Sequence, residues 1–441
     1  MTANGLWFRG GRAVDLLIRG AHVLDPRAGL DRPGDVLVRG GAIAELGAPG
    51  TLVAPDGAEV VEAEGLHLFP GFVDPHVHFR TPGQEHKEDL ATGTAAAAAG
   101  GFVAVIAMPN TAPTVDEAPI LRALCDAAER EARVPVGFLA AITRGLAGAE
   151  LTAMAELRDA GALGFTDDGR PVVSAGMLRR ALQYQRLAGG VLALHEEDPS
   201  LSGAGVMHEG EVAARLGLAG IPSVSEASFV ARDAMLAADV GGRVHFQHLS
   251  AVESVEALAH WKARGARVTG EVTPHHLTLT HEAVRSLDSR FKMNPPLRTE
   301  ADRQALIAAL RDGTIDCIAT DHAPHAPHEK EVPFEEAPMG TTGLETAFAA
   351  IYTELVVPCV LPLALLVEKL TAGAALFDLP TPTIAVGAPA NLALVDLDAT
   401  WVVGERGYAS RSQNCCFHGR TLRGVVRLTV AAGVVAHRAP A

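Results

Sequence analysis

The sequence predicts an α/β protein in which a large (β/α)8 barrel of the TIM type is joined to a small β-sandwich domain built from both termini. Eight strand-like runs alternate with helical runs between residues 68 and about 379. Short β-rich runs cluster at the two ends of the chain. The length of 441 residues also leaves room for a second unit, because a barrel of this kind typically takes about 250 residues.

Each predicted barrel strand is a short apolar run bounded by glycine, proline or polar residues, which is typical of a strand buried on both faces. These runs are 69–73, 102–108, 134–142, 163–166, 191–194, 243–247, 267–273 and 316–320. The stretches between them are long enough for helices. The predicted helices are 85–99, 117–132, 151–160, 175–188, 223–238, 251–264, 300–311, 344–355 and 362–376. Strands that alternate with helices in this way pair in parallel.

The terminal β-rich runs predict one composite domain. Residues 1–67 contain short runs split by glycine, proline and aspartate, too few to close a sheet alone. The C-terminal residues contain further runs that can complete it. The N-terminal runs are 15–19, 22–25, 35–39 and 42–46, and the C-terminal runs are 391–396, 401–403 and 421–436. We therefore divide the chain into 1–67, 68–383 and 384–441, with the first and last segments forming one domain.

Composition and charge exclude several classes of partner. The formal net charge is −15, so nucleic acid and anionic membranes are not expected to bind. No run approaches the roughly 20 apolar residues of a membrane helix, and residues 1–19 show no signal-peptide pattern. The five cysteines have no Cys-x-x-Cys spacing. This usage predicts a reducing, cytoplasmic location.

Candidate metal ligands lie at the ends of the predicted barrel strands, where barrels of this kind place their sites. The first strand leads into His76 and His78, which point to the same side of the chain because they are two residues apart. Four further strands end in histidine or aspartate. Their end residues are Asp167 and Asp168, His195, His245 and His248, and Asp321, His322 and His325. We expect these strand ends to bind metal jointly. Imidazole with carboxylate suits Zn²⁺, although Mn²⁺, Co²⁺ or Fe²⁺ could occupy the same ligands.

Some neighbours of these residues are expected to have no direct part in metal binding. Asp167 should point away from Asp168 and be a helix cap or solvated. His322 should face away from Asp321, and His245 should belong to the barrel wall. The pair His275 and His276 is interpreted as packing.

Several motifs, in the same order, resemble dihydroorotase of the bacterial class I type, a family of cyclic amidohydrolases. They are Asp-Pro-His-Val-His-Phe-Arg-Thr-Pro-Gly (74–83), Lys-Glu-Asp (87–89), Met-Pro-Asn-Thr (108–111), Phe-Thr-Asp-Asp-Gly (165–169), Lys-Met-Asn-Pro-Pro-Leu-Arg (292–298) and Ile-Ala-Thr-Asp-His-Ala-Pro-His (318–325). The resemblance covers nearly the whole chain. The departures are Thr81, where the family usually has glutamate, Met339, and the sequence Asn-Cys-Cys-Phe at 414–417.

The resemblance implies a set of site residues. The implied zinc ligands are His76, His78, Asp168, His195, His248 and Asp321. They would hold two Zn²⁺ ions per chain, with Asp168 as the bridge. Arg80, Asn110 and His325 would hold the substrate carboxylate, and Asn294 with the backbone of Met339 and Gly340 would contact the ring. His78 is counted among the substrate contacts as well.

The implied reaction is the reversible, zinc-dependent cyclisation of N-carbamoyl-L-aspartate to L-dihydroorotate in pyrimidine (UMP) biosynthesis. A metal-bridged hydroxide would attack the ring amide, and Asp321 would carry the proton to the leaving nitrogen.

Two alternatives remain open at this point. An allantoinase or a hydantoinase commonly bridges its metals with a carbamylated lysine on the fourth strand, but no lysine lies between Lys87 and Lys262. A non-catalytic structural partner of aspartate transcarbamoylase would typically have lost ligands, whereas every ligand position is filled here. A homo-oligomer or a complex with aspartate transcarbamoylase is compatible with the sequence.

Overall fold

The computed structural model describes residues 5–439, and its centre is a barrel of eight parallel strands that lie side by side in chain order. The strands are Phe72–Val77, Phe102–Ala107, Val136–Ala140, Gly164–Phe165, Leu192–Leu194, Val244–Phe246, Val268–Val272 and Cys317–Ile318. The first and last strands meet beyond their ends, where His78 N donates to the carbonyl of His322 over 2.9 Å. The barrel is therefore nearly closed, and the predicted fold class is confirmed.

Helices cross over between the strands and cover the barrel, as predicted. The helices that correspond to the predicted ones are Leu90–Ala99, Ala118–Glu131, Met154–Asp159, Ala175–Ala188, Ser223–Val240, Val252–Ala263, Glu300–Asp312, Ala347–Ile351 and Leu363–Thr371. Short helical pieces lie in the loops: Arg144–Leu146, Pro199–Ser202, Glu211–Leu216, Pro274–Thr278, His281–Ser286, Ser289–Phe291, Pro327–Lys330, Tyr352–Val356 and Ala372–Phe377. No helix within the described part of the chain is long and apolar enough to cross a membrane.

The first helix starts later than predicted, at Leu90 instead of residue 85. Asp89 has extended backbone angles, and its carboxylate accepts the backbone N–H of Thr92 over 2.8 Å. This side chain caps the helix, because it satisfies an N–H group that has no partner inside the first turn. Residues 85–88 are thereby left in the loop that follows Arg80.

The predicted first strand, 69–73, is divided between two sheets. His67–Pro70 pairs with strands of the terminal sheet, and the barrel strand begins at Phe72. The break lies at Gly71, where an added Cβ would come within 2.1 Å of Cγ1 of Val103. Only glycine permits this close approach of the backbone to the neighbouring strand.

The terminal unit is one eight-stranded sheet to which both ends of the chain contribute. Its strands are Leu16–Asp25, Leu30–Arg39, Ala42–Gly47, Glu59–Glu62, His67–Pro70, Leu392–Val402, Thr421–Ala431 and Val434–Arg438. The N- and C-terminal parts join where His67–Pro70 pairs with Leu392–Val402. Buried side chains from both parts, among them Ile18 and Leu428, share one apolar core. The limits 1–67, 68–383 and 384–441 stay a prediction.

Two details of the small strands differ from the prediction. Runs 15–19 and 22–25 form the single strand Leu16–Asp25, whose pairing shifts between Ile18 and Ala21. The glycine between these two residues, Gly20, has a φ of +73°, which glycine adopts without strain. A two-stranded pair outside both sheets, Met207–His208 with Gly220–Ile221, was not predicted.

Candidate metal centre

All residues that the resemblance implies as metal ligands lie together at the C-terminal end of the barrel. They are His76, His78, Asp168, His195, His248 and Asp321. Each is buried, and even the most exposed of them, Asp321, has only 7% of its surface accessible to solvent. All but His76, together with every residue implied for substrate contact, line one cavity of about 320 Å³. The sequence therefore identified residues that the fold brings to one place.

The Asp168 carboxylate lies between two groups of imidazoles. Its Oδ1 atom is 3.6 Å from Nε2 of His76, 3.7 Å from Nδ1 of His195 and 3.8 Å from Nε2 of His248. Its Oδ2 atom is 3.5 Å from Nε2 of His78. One carboxylate thus faces the histidines of strands one, five and six, as a bridging ligand must.

Asp321 completes the group around the first strand. Its Oδ1 atom is 3.1 Å from Nε2 of His78 and 3.6 Å from Nε2 of His76. On the other side of Asp168, Nδ1 of His195 and Nε2 of His248 are 3.0 Å apart. The ligand atoms of His76, His78 and Asp321, like those of His76, Asp168 and His248, all lie within 4.8 Å of one another.

Hydrogen bonds fix which nitrogen of three of these imidazoles faces the centre. Nδ1 of His76 is 2.8 Å from a carboxylate oxygen of Glu271, and Nδ1 of His78 is 2.9 Å from Oδ1 of Asn110. Nε2 of His195 is 3.3 Å from Oε2 of Glu197. Each of these nitrogens donates its proton to an oxygen, so the opposite nitrogen presents a lone pair to the centre, which is the form that binds a metal.

The donor set fits a divalent metal such as zinc. In a tetrahedral zinc site with bonds of about 2.1 Å, neighbouring ligand atoms are about 3.4 Å apart, which is close to the separations around Asp168. Nε2 of His76 and Nδ1 of His248 are buried and have no hydrogen-bond partner among residues 5–439. Because a buried polar atom rarely stays unpaired, the inward-facing Nε2 of His76 points to a ligand at the centre.

The electrostatics of the cluster favour a bound cation. Burial alone would lower the pKa of His76, but Glu271 and Asp168 raise it to about 10. Burial would raise the pKa of Asp168, but the imidazoles of His195 and His248 hold it well below the usual value. Ionised carboxylates in a buried site attract positive charge, and a metal ion can take the place of the proton.

Three residues of the site have left-handed backbone angles, although none is glycine. The φ angles are +58° at Arg80, +33° at His248 and +47° at Asp321. Such conformations cost roughly 1 to 3 kcal/mol each and concentrate at functional sites, where the surrounding structure holds them. Here they turn the side chains that follow strands one, six and eight toward the cavity.

Glu271, on the seventh strand, is a site residue that sequence reasoning missed. It is fully buried, and its two oxygens lie 2.8 Å from Nδ1 of His76 and 2.9 Å from Nε2 of His245. It also accepts the backbone N–H of His248 over 3.2 Å. A lone ionisable residue in the interior of a predicted barrel strand was the available signal, because a buried charge needs partners.

Two expected neighbours of the ligands, His245 and His322, lie as predicted, and Asp167 does not. His245 belongs to the wall, and His322 turns its Nε2 toward Glu88, away from the centre. Asp167 is neither a helix cap nor solvated, so that prediction was wrong. It is buried, and it accepts hydrogen bonds from the backbone N–H groups of Ile142 and Thr143 over 2.8 and 3.0 Å, linking the third and fourth strand ends.

Arg80 supplies positive charge on the cavity wall. Its Nε donates to the carbonyl of Pro324 over 3.2 Å, and within the described residues no carboxylate forms an ion pair with it. Burial lowers its pKa, while Asp321 and Asp168 act in the opposite direction. An arginine that holds no protein carboxylate can offer its guanidinium to an anionic ligand.

The other implied substrate contacts surround the same cavity. Nε2 of His325 donates to the carbonyl of Met339 over 2.8 Å, and Nδ2 of Asn294 donates to Glu197 over 2.6 Å. The N–H of Gly340 is already donated to the carbonyl of Lys292. The backbone of 339–340 therefore offers carbonyl oxygens rather than that N–H group to a ligand.

Comparisons with known proteins agree with this geometry. Residues 65–254 match the family model described as Dihydro-orotase-like. The chain is 46% identical over 423 residues to a dihydroorotase of Pelotomaculum thermopropionicum, covering 96% of this chain and 98% of the relative. It is 45% identical over 426 residues to a dihydroorotase of Geotalea daltonii, covering 96% of this chain and 100% of the relative.

Among solved structures, L-hydantoinase (dihydropyrimidinase) from Arthrobacter aurescens superimposes with a TM-score of 0.84 at 26% identity over 96% of each chain. D-hydantoinase (dihydropyrimidinase) from a Thermus species gives a TM-score of 0.82 at 25% identity over 97% of each chain.

Proposed function

The chain belongs to the dihydroorotase family, and on that premise we propose how its cavity closes N-carbamoyl-L-aspartate to L-dihydroorotate with two Zn²⁺ ions. The enzyme is a hydrolase of cyclic amides. The observation that carries the proposal is one cavity lined by both the imidazole–carboxylate cluster and the guanidinium of Arg80. The cluster suits amide hydrolysis, and the guanidinium suits a substrate that bears a carboxylate.

Two ligand groups that share Asp168 would hold the ions. His76, His78 and Asp321 would hold one, and His195 and His248 the other. When bound, the ions would supply a water of lowered pKa and polarise the amide carbonyl. The protein holds the imidazoles in the required tautomer through Glu271, Asn110 and Glu197, and it keeps the cluster away from bulk solvent.

Arg80 would bind the substrate carboxylate with its two terminal nitrogens, a pairing that fixes orientation as well as charge. Asn110 lines the same cavity, and its amide bonds His78 and both the carboxylate and the carbonyl of Asp168. It would donate to the substrate carboxylate when the long 3.5 Å bond to that carbonyl gives way. His325 can contact the carboxylate when its Nε2–H group leaves the carbonyl of Met339. Together these groups would place the ring amide over the ligand cluster.

The ring would lie between Asn294 and the backbone at 339–340. The carbonyl of Met339 has a second lone pair that can accept a ring N–H. Gly340 packs tightly against the cavity wall, because an added Cβ would lie 2.8 Å from Cβ of Ala323 and 3.1 Å from Nε2 of His325. His78, which also lines the cavity, would contact the reacting amide.

Asp321 is the proposed proton carrier. In hydrolysis it takes a proton from the water whose oxygen adds to the ring carbonyl carbon, and it delivers that proton to the ring nitrogen as the C–N bond breaks. In ring closure the same carboxyl receives the proton from the attacking nitrogen and returns it to the leaving water. Atoms and protons balance when the substrate carboxyl reacts as the acid, because the leaving water then carries one proton from that carboxyl and one from Asp321, and hydrolysis forms the same acid before it ionises.

The folds of the hydantoinases favour a related second candidate, hydrolysis of rings without a carboxylate. A carbamylated lysine on strand four cannot bridge metals here, because the chain has Asp168 at that place and no lysine between Lys87 and Lys262. Such substrates would also give the guanidinium of Arg80 no carboxylate to bind. We therefore place dihydroorotate first.

We also propose a cytoplasmic location, since all five cysteines are free thiols and such usage fits a reducing compartment. A homo-oligomer or a complex with aspartate transcarbamoylase stays a prediction. Sedimentation of the purified chain, alone and mixed with the transcarbamoylase, tests it.

The deciding experiment compares L-dihydroorotate, allantoin and hydantoin as substrates on metal-analysed protein. We expect dihydroorotate to be hydrolysed with the highest kcat/KM, and activity to follow the content of divalent metal. A preference for hydantoin or allantoin would contradict the proposal, and so would full activity with less than about half an ion per chain.

A further inference from the structure

A long connection of the terminal sheet reaches the mouth of the barrel. It joins the paired strands Leu392–Val402 and Thr421–Ala431, and it is far longer than the roughly two to five residues that usually join antiparallel neighbours. Its central part, residues 409–417, is called the rim segment below. Loops of this length in compact proteins usually serve a function.

Asn414, in the rim segment, forms three side-chain hydrogen bonds to the loops around the cavity. Its Oδ1 accepts the backbone N–H of His325 over 3.1 Å, and its Nδ2 donates to the carbonyls of Ala323 and Gly340 over 3.0 and 3.1 Å. The side chain is 4% exposed. One buried amide thus joins the two loops that lie on either side of the short helix Pro327–Lys330, and it uses its acceptor and both donors to do so.

The backbone of the rim segment reinforces this link. The carbonyl of Asn414 accepts the hydroxyl of Thr341 over 3.0 Å and the N–H of Thr342 over 3.3 Å. The N–H of Cys416 donates to the same hydroxyl over 2.9 Å. The loop that carries Gly340 is therefore tied to the rim segment at Asn414 and at Cys416.

These two loops form one wall of the cavity, and their spacing is tight. His325, Met339 and Gly340 line the cavity, while Asn414 does not. His325 is bonded to the carbonyl of Met339, and Gly340 leaves no room for a Cβ beside His325. A shift of either loop would move the wall against which a substrate carboxylate and ring must fit.

The rim segment also holds the stretch that follows Arg80. The hydroxyl of Ser412 donates to the carbonyl of Lys87 over 2.6 Å. The hydroxyl of Ser410 and the N–H of Arg411 both donate to the carboxylate of Glu88. The segment thus spans from the Arg80 side of the cavity to the His325 side.

We infer that Asn414 is a positioning residue for substrate binding: its amide sets the separation of the loops that carry His325 and Gly340, and so the fit of the carboxylate-bearing substrate. This inference rests on the proposed function. Asn414 touches neither the ligand cluster nor the cavity, so it acts through those loops on binding and leaves metal content unchanged.

The test is Asn414→Asp, which keeps the size of the side chain and the oxygen that accepts the N–H of His325. The NH2 group becomes an oxygen, so both hydrogen bonds to the carbonyls of Ala323 and Gly340 are lost and two oxygens face these carbonyls instead. Gln413→Glu is the matched control, because it makes the same amide-to-acid change at the adjacent exposed position. We expect KM for L-dihydroorotate to rise about tenfold or more in Asn414→Asp while kcat stays within about threefold. Metal content should equal that of the control.

A second readout is independent of turnover. Hydrogen–deuterium exchange of the amides at Thr341 and Thr342 should speed up in Asn414→Asp and stay unchanged in Gln413→Glu, because the loop loses its link. If Asn414→Asp does not fold, Thr341→Val removes the hydroxyl link from the other side and should show the same two effects.

Unchanged KM and unchanged exchange relative to Gln413→Glu would overturn the inference. So would a loss of kcat and metal together with no change in KM, which would indicate general damage. If the unmodified protein does not hydrolyse dihydroorotate, the proposed function fails, and the exchange experiment alone then decides whether Asn414 holds the loops.

Discussion

His76 donates its Nδ1–H to the carboxylate of Glu271 over 2.8 Å, and both side chains are fully buried. The bond leaves the lone pair of Nε2 facing Asp168 and Asp321. Glu271 stays ionised: burial alone would raise the pKa of its carboxyl, but the imidazoles of His76 and His245 together lower it to about 2. The seventh strand therefore supplies none of the implied metal ligands, but its Glu271 sets the orientation and tautomer of one of them, His76.

Glu271→Gln should weaken metal binding. The amide oxygen can still accept a hydrogen bond from His76, but the side chain has no negative charge. The amide can also rotate so that its NH2 group, instead of its oxygen, faces Nδ1 of His76. Loss of such a supporting partner typically costs about 10- to 100-fold in metal affinity. Competition with a chelator measures the affinity. Glu345→Gln is the control, since Glu345 is a carboxylate that accepts the N–H groups of Ala409 and Ser410. Equal affinities in the two variants would contradict the role of Glu271.

The barrel and its ligand positions were predictable because their signals are local. Alternating apolar runs and helical stretches set the fold class, and the residues at the strand ends set the cluster. His76 and His78 are two apart, so a strand must turn them to one side. The composite sheet was also predictable, because the N-terminal runs need additional partners.

The remaining features depend on contacts between residues distant in sequence. Nothing near Glu271 indicates that its oxygens meet His76, nearly two hundred positions earlier. The split of the first strand at Gly71 depends on Val103 in the neighbouring strand. Asp167 was misjudged because its partners are backbone N–H groups of another strand end, which no local pattern reveals.

Arg80→Lys should impair recognition of the substrate carboxylate. Lysine keeps the charge but lacks the planar pair of donors. We expect kcat/KM for L-dihydroorotate to fall by about 2 to 4 kcal/mol in transition-state stabilisation. The loss for hydantoin, which has no carboxylate, should be much smaller. An unchanged kcat/KM for dihydroorotate would remove Arg80 from the carboxylate site.

Asp321→Asn should separate proton transfer from metal binding. The change keeps size and removes the base, and general acid–base groups contribute roughly 10²- to 10⁴-fold. Metal content is measured on the same sample as the rate. A variant that keeps its metal but loses most of kcat supports proton transfer as the main role. Loss of metal assigns at least part of the effect to ligation, and a nearly unchanged kcat would exclude Asp321 as the proton carrier.

Lys330→Met should reduce the rise of the free energy of unfolding with pH above pH 7. Lys330 is 7% exposed, and its ammonium donates to the carbonyl of Pro338 over 2.8 Å. Burial, with a smaller effect of Lys292, lowers its pKa to about 7. The unfolded chain should keep the ordinary value of about 10.4. Below pH 7 both states hold the proton, so this lysine adds no pH dependence. Between pH 7 and about 10.4 the unfolded state holds a proton that the folded state has lost, so the free energy of unfolding rises with pH by up to about 1.4 kcal/mol per unit.

Thermal unfolding of Lys330→Met and of the unmodified protein at pH 7, 8 and 9, at equal metal content, tests this sign. The melting temperature of the unmodified protein, relative to that of the variant, should increase with pH. Only the unmodified protein has a lysine at position 330 that loses its proton on folding. Lys262→Met is the control, since Lys262 is only partly buried and pairs with Asp316 over 2.6 Å. A difference between unmodified protein and Lys330→Met that stays constant from pH 7 to 9 would mean that Lys330 keeps its proton in the folded protein. The opposite trend would mean that the folded state binds that proton more tightly than the unfolded chain does.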